Sequence, residues 1–190
     1  IKDIYEYFDK LTDELRANPT ESLASYIANG KLDGEHLPFK ELISYYTIVA
    51  TAGHDTTKNA IVGGLHALVT HPEQLARFKE IVHDEDALKL AVEEILRWTT
   101  PVAQFARTAE KDYVLRGQTI KKGDTVGLMY ASGSFDEDIF ENPSEFNIER
   151  KPNRHLAFGT GPHQCLGLLL ARLELRIFFQ QLVPRLAEVE

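Results

Sequence analysis

One side chain has no second copy in this sequence: Cys165 is the only cysteine among 190 residues. It lies in Phe158-Gly159-Thr160-Gly161-Pro162-His163-Gln164-Cys165-Leu166-Gly167, and an apolar helical pattern, Leu168-Leu169-Leu170-Ala171-Arg172, begins directly after it. Glycine lets a backbone pass close to a flat or bulky partner and reach positive φ. A cysteine entering a helix N-terminus meets unpaired N–H groups and the positive end of the helix dipole. Both favour thiolate over thiol. The chemistry open to this loop is presentation of one stabilised thiolate to something flat. The alternative is a small buried hydrophobe with an inert thiol.

A second chemical candidate is Ala52-Gly53-His54-Asp55-Thr56-Thr57, where an acid and an alcohol stand side by side among poor helix formers. Adjacent helical residues point about 100° apart, so Asp55 and Thr56 serve different directions. The alternative is a small-residue patch against which another helix packs. A third candidate is Glu94-Ile95-Leu96-Arg97, whose charges at i and i+3 are helix neighbours. On a solvated face such a pair contributes little. Arg107, Arg150 and His163 are the remaining polar residues whose placement could matter, each with an ordinary surface role as its alternative.

These residues need elements to hold them. Ile4, Tyr5, Phe8, Leu11 and Leu15 give residues 1–17 one helical face, which Asn18-Pro19 ends. A short helix at about 20–28 precedes the turn chemistry of Asn29-Gly30-Lys31-Leu32-Asp33-Gly34. No proline interrupts Phe39 to His71, between Pro38 and Pro72. Roughly 33 helical residues span on the order of 50 Å, enough to cross a domain. Helices are then expected over Glu73 to Val82 and, after an acidic break at 83–86, over about 87–98. Residues 102–128 read as short strands and turns. A loop-rich stretch follows, with a short helix near 135–141, an irregular segment over 142–157 and the cysteine loop at 158–167. The last helix is expected over about 165–182, burying Leu169, Leu170, Leu173, Ile177 and Phe178.

Composition bounds the class. Hydrophobic residues make up 43% and charged residues 26%, an ordinary globular balance. A net charge of −8 and a pI near 5.4 argue against a nucleic-acid partner, which requires a basic face. One cysteine excludes a disulfide framework and fits a reducing, cytoplasmic compartment. No apolar run approaches the roughly 18 residues of a membrane span.

The pattern Phe-x-x-Gly-x-x-x-Cys-x-Gly, followed by a helix with Ala171-Arg172, resembles the haem-binding loop of the cytochrome P-450 superfamily. The other marks stand in the same order: Ala52-Gly53-x-Asp55-Thr56-Thr57, Glu94-x-x-Arg97, Arg107 after Pro101, and Arg150 in Phe146-Asn147-Ile148-Glu149-Arg150. The resemblance covers essentially the whole chain. It is strongest to soluble bacterial members that hydroxylate monoterpene alcohols, through Thr99-Thr100-Pro101 and Pro152-Asn153-Arg154-His155-Leu156. It implies a mainly α fold with small β-sheets, the C-terminal helical half of that fold, in a single partial domain. A family member is about twice this length, so the resemblance makes the chain an internal fragment.

The resemblance also implies roles. Cys165 is the axial ligand of a haem b iron, with Phe158, Gly159 and Gly167 around the cofactor and Arg107 and His163 on its propionates. The long helix loosens at Asp55 and Thr56, where Thr56 hydrogen-bonds the oxygen and Asp55 relays protons. Glu94, Arg97 and Arg150 form a buried ion triad that fixes the cysteine loop. Ile48, Thr51, Ala52, Ala103 and Phe105 are the pocket residues, small or apolar and suited to a compact hydrophobic substrate. O2 is the co-substrate, and a ferredoxin with its NAD(P)H-dependent reductase supplies electrons. A peroxide-using haem-thiolate enzyme and a non-catalytic haem-binding fragment are the alternatives.

Overall fold

In the computed structural model, which describes residues 2–186, the chain forms two compact units that divide between Asp55 and Thr56. The first begins with α1 (Lys2–Ala17), α2 (Leu23–Ala28) and a hairpin of β1 (Lys31–Leu32) and β2 (Glu35–His36). α2 begins later than the spacing predicts because Ser22 caps it, its hydroxyl accepting the Ser25 N–H. Asp33 and Gly34 both take positive φ, 52° and 89°, as a two-residue hairpin turn requires. Side chains tie the unit together. Arg16 donates to the Ala28 carbonyl at 2.8 Å and the Tyr46 hydroxyl to the Ala24 carbonyl at 3.0 Å, while the Phe8 and Tyr46 rings stack at 4.8 Å.

α3 (Phe39–Thr70) is unbroken over 32 residues and continues into the second unit. The loosening expected near Gly53 is absent. The weak helix formers keep the helical path there; Thr51 turns its hydroxyl back onto the Thr47 carbonyl at 2.8 Å. Beyond its chain neighbours and the adjacent backbone of α3 itself, no described residue comes within 4 Å of a Cβ placed on Gly53. The small residues that do admit a neighbour come a turn or more later. A Cβ on Gly63 would stand 2.6 Å from Thr99, and one on Gly64 would stand 2.6 Å from Ile95 and 2.9 Å from Phe179.

α4 (Pro72–Ile81) places its proline in the first turn, where a missing N–H costs nothing. α5 (Glu85–Thr99) begins two residues earlier than expected. Asp84 does not break the helix but caps it, accepting N–H bonds from Asp86 and Ala87 at 3.0 Å each. Thr100, with φ 31°, ends it in the left-handed region. β3 (Gln104–Thr108) pairs antiparallel with β6 (Thr125–Met129), and β4 (Tyr113–Leu115) with β5 (Gln118–Ile120). A short α6 (Tyr130–Ser134) follows directly from β6, whereas 135–141 is not helical: the Asp136 carboxylate accepts the Asp138 N–H, a local turn that competes with a helix.

α7 (Leu168–Leu182) is the last helix. With α3, α4 and α5 it encloses the core of the second unit, where Leu68, Phe78, Val92, Ile95, Leu175, Phe179 and Val183 are fully or almost fully buried. The expected inward face of α7 is corrected here. Leu175 and Phe179 point inward, Phe178 is half-buried, and Leu169, Leu170, Leu173 and Ile177 are exposed. The helix is apolar on two sides, and periodicity alone does not choose between them. Among the described residues, no helix is long and apolar enough to cross a membrane.

Candidate functional site: a cysteine loop held by two carboxylates

Cys165 lies outside α7, three residues before its first turn, which corrects the expected helix start. Gln164 is extended (φ −55°, ψ 144°), and the Cys165 N–H turns back to the Phe158 carbonyl at 2.9 Å. That bond closes the loop. Gly159 and Gly161 carry φ of 64° and 73°, which side-chain-bearing residues adopt only under strain. The Gly159 backbone also runs close beneath Tyr130, 3.1 Å separating a notional Cβ from the hydroxyl. His163 sits in the single 3₁₀ turn Gly161–His163, and it, Cys165 and Gly167 are exposed; Phe158 is half-buried. From the thiol onward runs an apolar stripe of Leu166, Leu169, Leu170, Leu173 and Ile177, with Leu166 at 89% and Leu169 at 76% exposure. This is the second apolar side of α7.

Behind the loop are two carboxylates, Glu94 buried and Glu93 half-buried. Glu94 is fully buried and receives Arg97 in a fork, Nε to Oε2 at 2.8 Å and Nη2 to Oε1 at 2.9 Å. Arg150 Nε reaches the same carboxylate at 3.2 Å, and Asn147 N–H and Asn153 Nδ2 complete its shell at 2.9 and 3.0 Å. The other donors of Arg97 go to the carbonyls of Ser134, Pro143 and Glu145. The structure therefore brings Glu94, Arg97 and Arg150 together, away from solvent.

The second carboxylate, Glu93, has no part in the sequence reading. Arg172 of α7 grips it with Nε–Oε1 2.6 Å and Nη2–Oε2 2.8 Å, and His155 Nε2 meets Oε2 at 3.0 Å. His155 Nδ1 accepts the Ala157 N–H at 3.2 Å, so a neutral ring carries its proton on Nε2 and donates it to Glu93. Burial would raise the Glu93 pKa, but the hydrogen bonds from Arg172 and His155 outweigh it and hold the group at about 2. The Arg172 guanidinium lies 4.7 Å from the Phe158 ring centre, and the His155 ring lies 5.9 Å from it. The signal for this network was present in the sequence as Glu93, His155 and Arg172. Their separations of 62 and 79 residues gave no local pattern to find it by.

The other predicted residues are more open. Arg107, on β3, donates to the Ala106 carbonyl at 2.9 Å and lies 5.6 Å over Phe105, with no carboxylate partner among the described residues. Phe105 is half exposed and stands 5.8 Å from the Tyr130 ring; Ala103 is exposed, its carbonyl accepting the Ala131 N–H. In the first unit Ile48, Ala52 and Asp55 are exposed, with His54 Nδ1 3.6 Å from the Asp55 carboxylate. Thr51 lines an open apolar groove of about 290 Å³ with Ile4, Tyr7, Phe8 and Ala50. Thr56 is half-buried.

Among the described residues no three His, Cys, Asp or Glu side chains converge on a metal-sized site. Cys165 is instead an exposed, soft sulfur side chain at the head of the exposed apolar stripe. Residues 1–187 match the family described as Cytochrome P-450. The chain is 47% identical over its full length to cytochrome P-450-terp of a Pseudomonas species, and 37% identical over 97% of its length to a steroid C26-monooxygenase of Mycobacterium bovis. It covers 44% and 42% of those proteins, so it spans less than half the length of these relatives. The crystal structure of CYP108D1 from Novosphingobium aromaticivorans superposes with a TM-score of 0.88 at 45% identity, over 96% of this chain and 44% of that one. With the match running through both units and the cysteine loop, the chain belongs to the cytochrome P-450 family.

Proposed function

We propose that this chain is the cysteine-bearing part of a haem-thiolate monooxygenase that inserts one oxygen atom of O2 into a compact hydrophobic substrate, of terpenoid or aromatic type, with electrons from a ferredoxin-type partner. The observation that carries this reading is the exposed Cys165 at the head of an exposed apolar stripe, in a loop closed by its own backbone. The family relationship and the P-450-terp likeness give the substrate class its support.

Haem b, when bound, supplies the oxygen-activating and redox chemistry. This chain's residues would hold and shape it. Cys165 would hold the iron through its sulfur, and Leu166, Leu169 and the Phe158 ring would offer apolar surface. Arg107, a cation without a carboxylate partner among the described residues, and exposed His163 would meet the propionates. Gly159 and Gly161 let the loop take its path without a side chain in the way. Glu94, Arg97 and Arg150 would act structurally, holding the irregular segment that precedes the loop. On α3, the Thr56 hydroxyl would donate a hydrogen bond to O2 and Asp55, exposed to solvent, would exchange protons with it. Ile48, Thr51, Ala52, Ala103 and Phe105 would shape the substrate site.

The test is the carbon-monoxide difference spectrum of the reduced full-length protein, wild type against Cys165→Ser. Wild type is expected to show the red-shifted Soret band of thiolate ligation. The serine variant is expected to lose it, because an alcohol does not donate comparably. An unchanged band in the variant removes Cys165 from the role, and no band in either protein removes the reading.

A further inference from the structure

The Glu93 network touches the cysteine loop at a defined place, and the function above gives it no role. Glu93 sits next to Glu94 on α5, but its partners are Arg172 of α7 and His155, none of them shared with Glu94. Its carboxylate is forked by Arg172 at 2.6 and 2.8 Å and bonded to His155 at 3.0 Å. Those two side chains are the ones that flank Phe158, at 4.7 and 5.9 Å. Phe158 in turn supplies the carbonyl that accepts the Cys165 N–H. A carboxylate on one helix thus reaches the thiol's own amide through two side chains, one ring and one backbone bond.

We propose that Glu93 is a positioning residue: by fixing Arg172 and His155 against Phe158, it holds the Phe158–Cys165 closure and so the direction of the Cys165 thiolate. The inference rests on the haem-thiolate reading for its consequence, but not for its geometry. A planar guanidinium over a ring attracts it through the quadrupole and restrains its tilt. A bidentate fork fixes the plane of that guanidinium where a single contact does not. Without the carboxylate, Arg172 has no other hydrogen-bond acceptor among the described residues, and it is free to leave the ring. His155 then keeps only its bond from Ala157. The loop loses its lateral support, while the Glu94 shell, which shares no hydrogen bond with this network, stays intact.

The test uses the full-length, haem-loaded protein with Glu93→Gln, which keeps the shape and removes the charge. Amide hydrogen exchange is followed in a peptide covering 158–166 and, as internal control, in one covering 85–92 of α5. The expected result is exchange about tenfold faster in the loop peptide with the control peptide unchanged, a local opening rather than a global one. The reduced carbon-monoxide spectrum is read alongside and is expected to move in part from the red thiolate position to the shorter-wavelength one. Arg172→Lys keeps the charge but loses the fork and the planar stack; it is expected to give the same pattern and is read in place of Glu93→Gln should that variant not fold. Glu93→Asp should recover part of the protection. Unchanged loop exchange overturns the inference. So does equal acceleration in both peptides, which marks a purely structural ion pair. A wild-type protein with no red band would instead sink the haem-thiolate reading, while the exchange comparison still decides the positioning.

Discussion

Glu94 shows how far a single residue's surroundings exceed what its neighbours in the sequence reveal. Its pairing with Arg97 was legible, because i and i+3 on a helix must lie together. That the pair is a buried junction rather than a solvated decoration came from the family resemblance and not from the spacing, since the deciding partners are backbone carbonyls of Ser134, Pro143 and Glu145, atoms every residue has. Arg97 places all five of its N–H groups, two on Glu94 and three on those carbonyls. Glu94→Ala therefore leaves a fully buried guanidinium without its counter-charge, which costs on the order of 3–5 kcal/mol. That is a large part of the roughly 5–15 kcal/mol that holds a domain folded. Urea unfolding of the full-length variant is expected to show a strongly lowered midpoint and poor haem retention. A wild-type midpoint would mean that the pair contributes nothing.

Among elements, α3 was read to within a residue, because two prolines bracket it and nothing inside it breaks a helix. α7 was read less well. Gln164 is extended and the Cys165 amide is already committed to Phe158, so the helix starts only after Gly167, and its leucines satisfy two apolar sides at once. The small-residue contact weighed as the alternative near Gly53 is found instead at Gly63 and Gly64, where α3 meets α5 and α7. Gly64→Ala sets two effects against each other. Alanine is the better helix former by about 1 kcal/mol, while overpacking costs typically 1–3 kcal/mol. The new methyl would meet both Ile95 and Phe179, each fully buried and unable to swing aside, so the clash wins. The variant is expected to lose about 1–2 kcal/mol, read as a lower urea midpoint at unchanged slope; a gain in stability would show that the helices separate freely.

At the scale of the whole chain, class and family were legible because the motifs are short, ordered and chemically distinctive. The division into two compact units was not, since α3 runs through the boundary and leaves no linker to see. The response to acid also belongs to this scale. Glu93 has its pKa depressed from the ordinary 4.5 to about 2, so the folded state holds this proton less readily than the unfolded chain. Its contribution to stability is complete above about pH 4.5 and disappears as pH falls toward about 2. The melting temperature of the full-length protein should therefore fall through that window, and Glu93→Gln should flatten the fall. Parallel curves for the two proteins would place the acid sensitivity in other carboxylates.

The two guanidinium groups around Glu94 have a consequence for the order in which the molecule assembles. Between α6 and the cysteine loop the chain has no helix or strand of its own, and its carbonyls at Asn142, Pro143 and Glu145, with that of Ser134 at the end of α6, are met by Arg97 and Arg150. A helix such as α5 nucleates from local contacts within about a microsecond. The Arg97 bonds to Ser134 and Glu145 close loops of 37 and 48 residues, whose entropy must be lost before any bond is gained. The segment therefore takes its shape late, cast against a helix that is already there, and the thiolate acquires its final setting only after that casting is done.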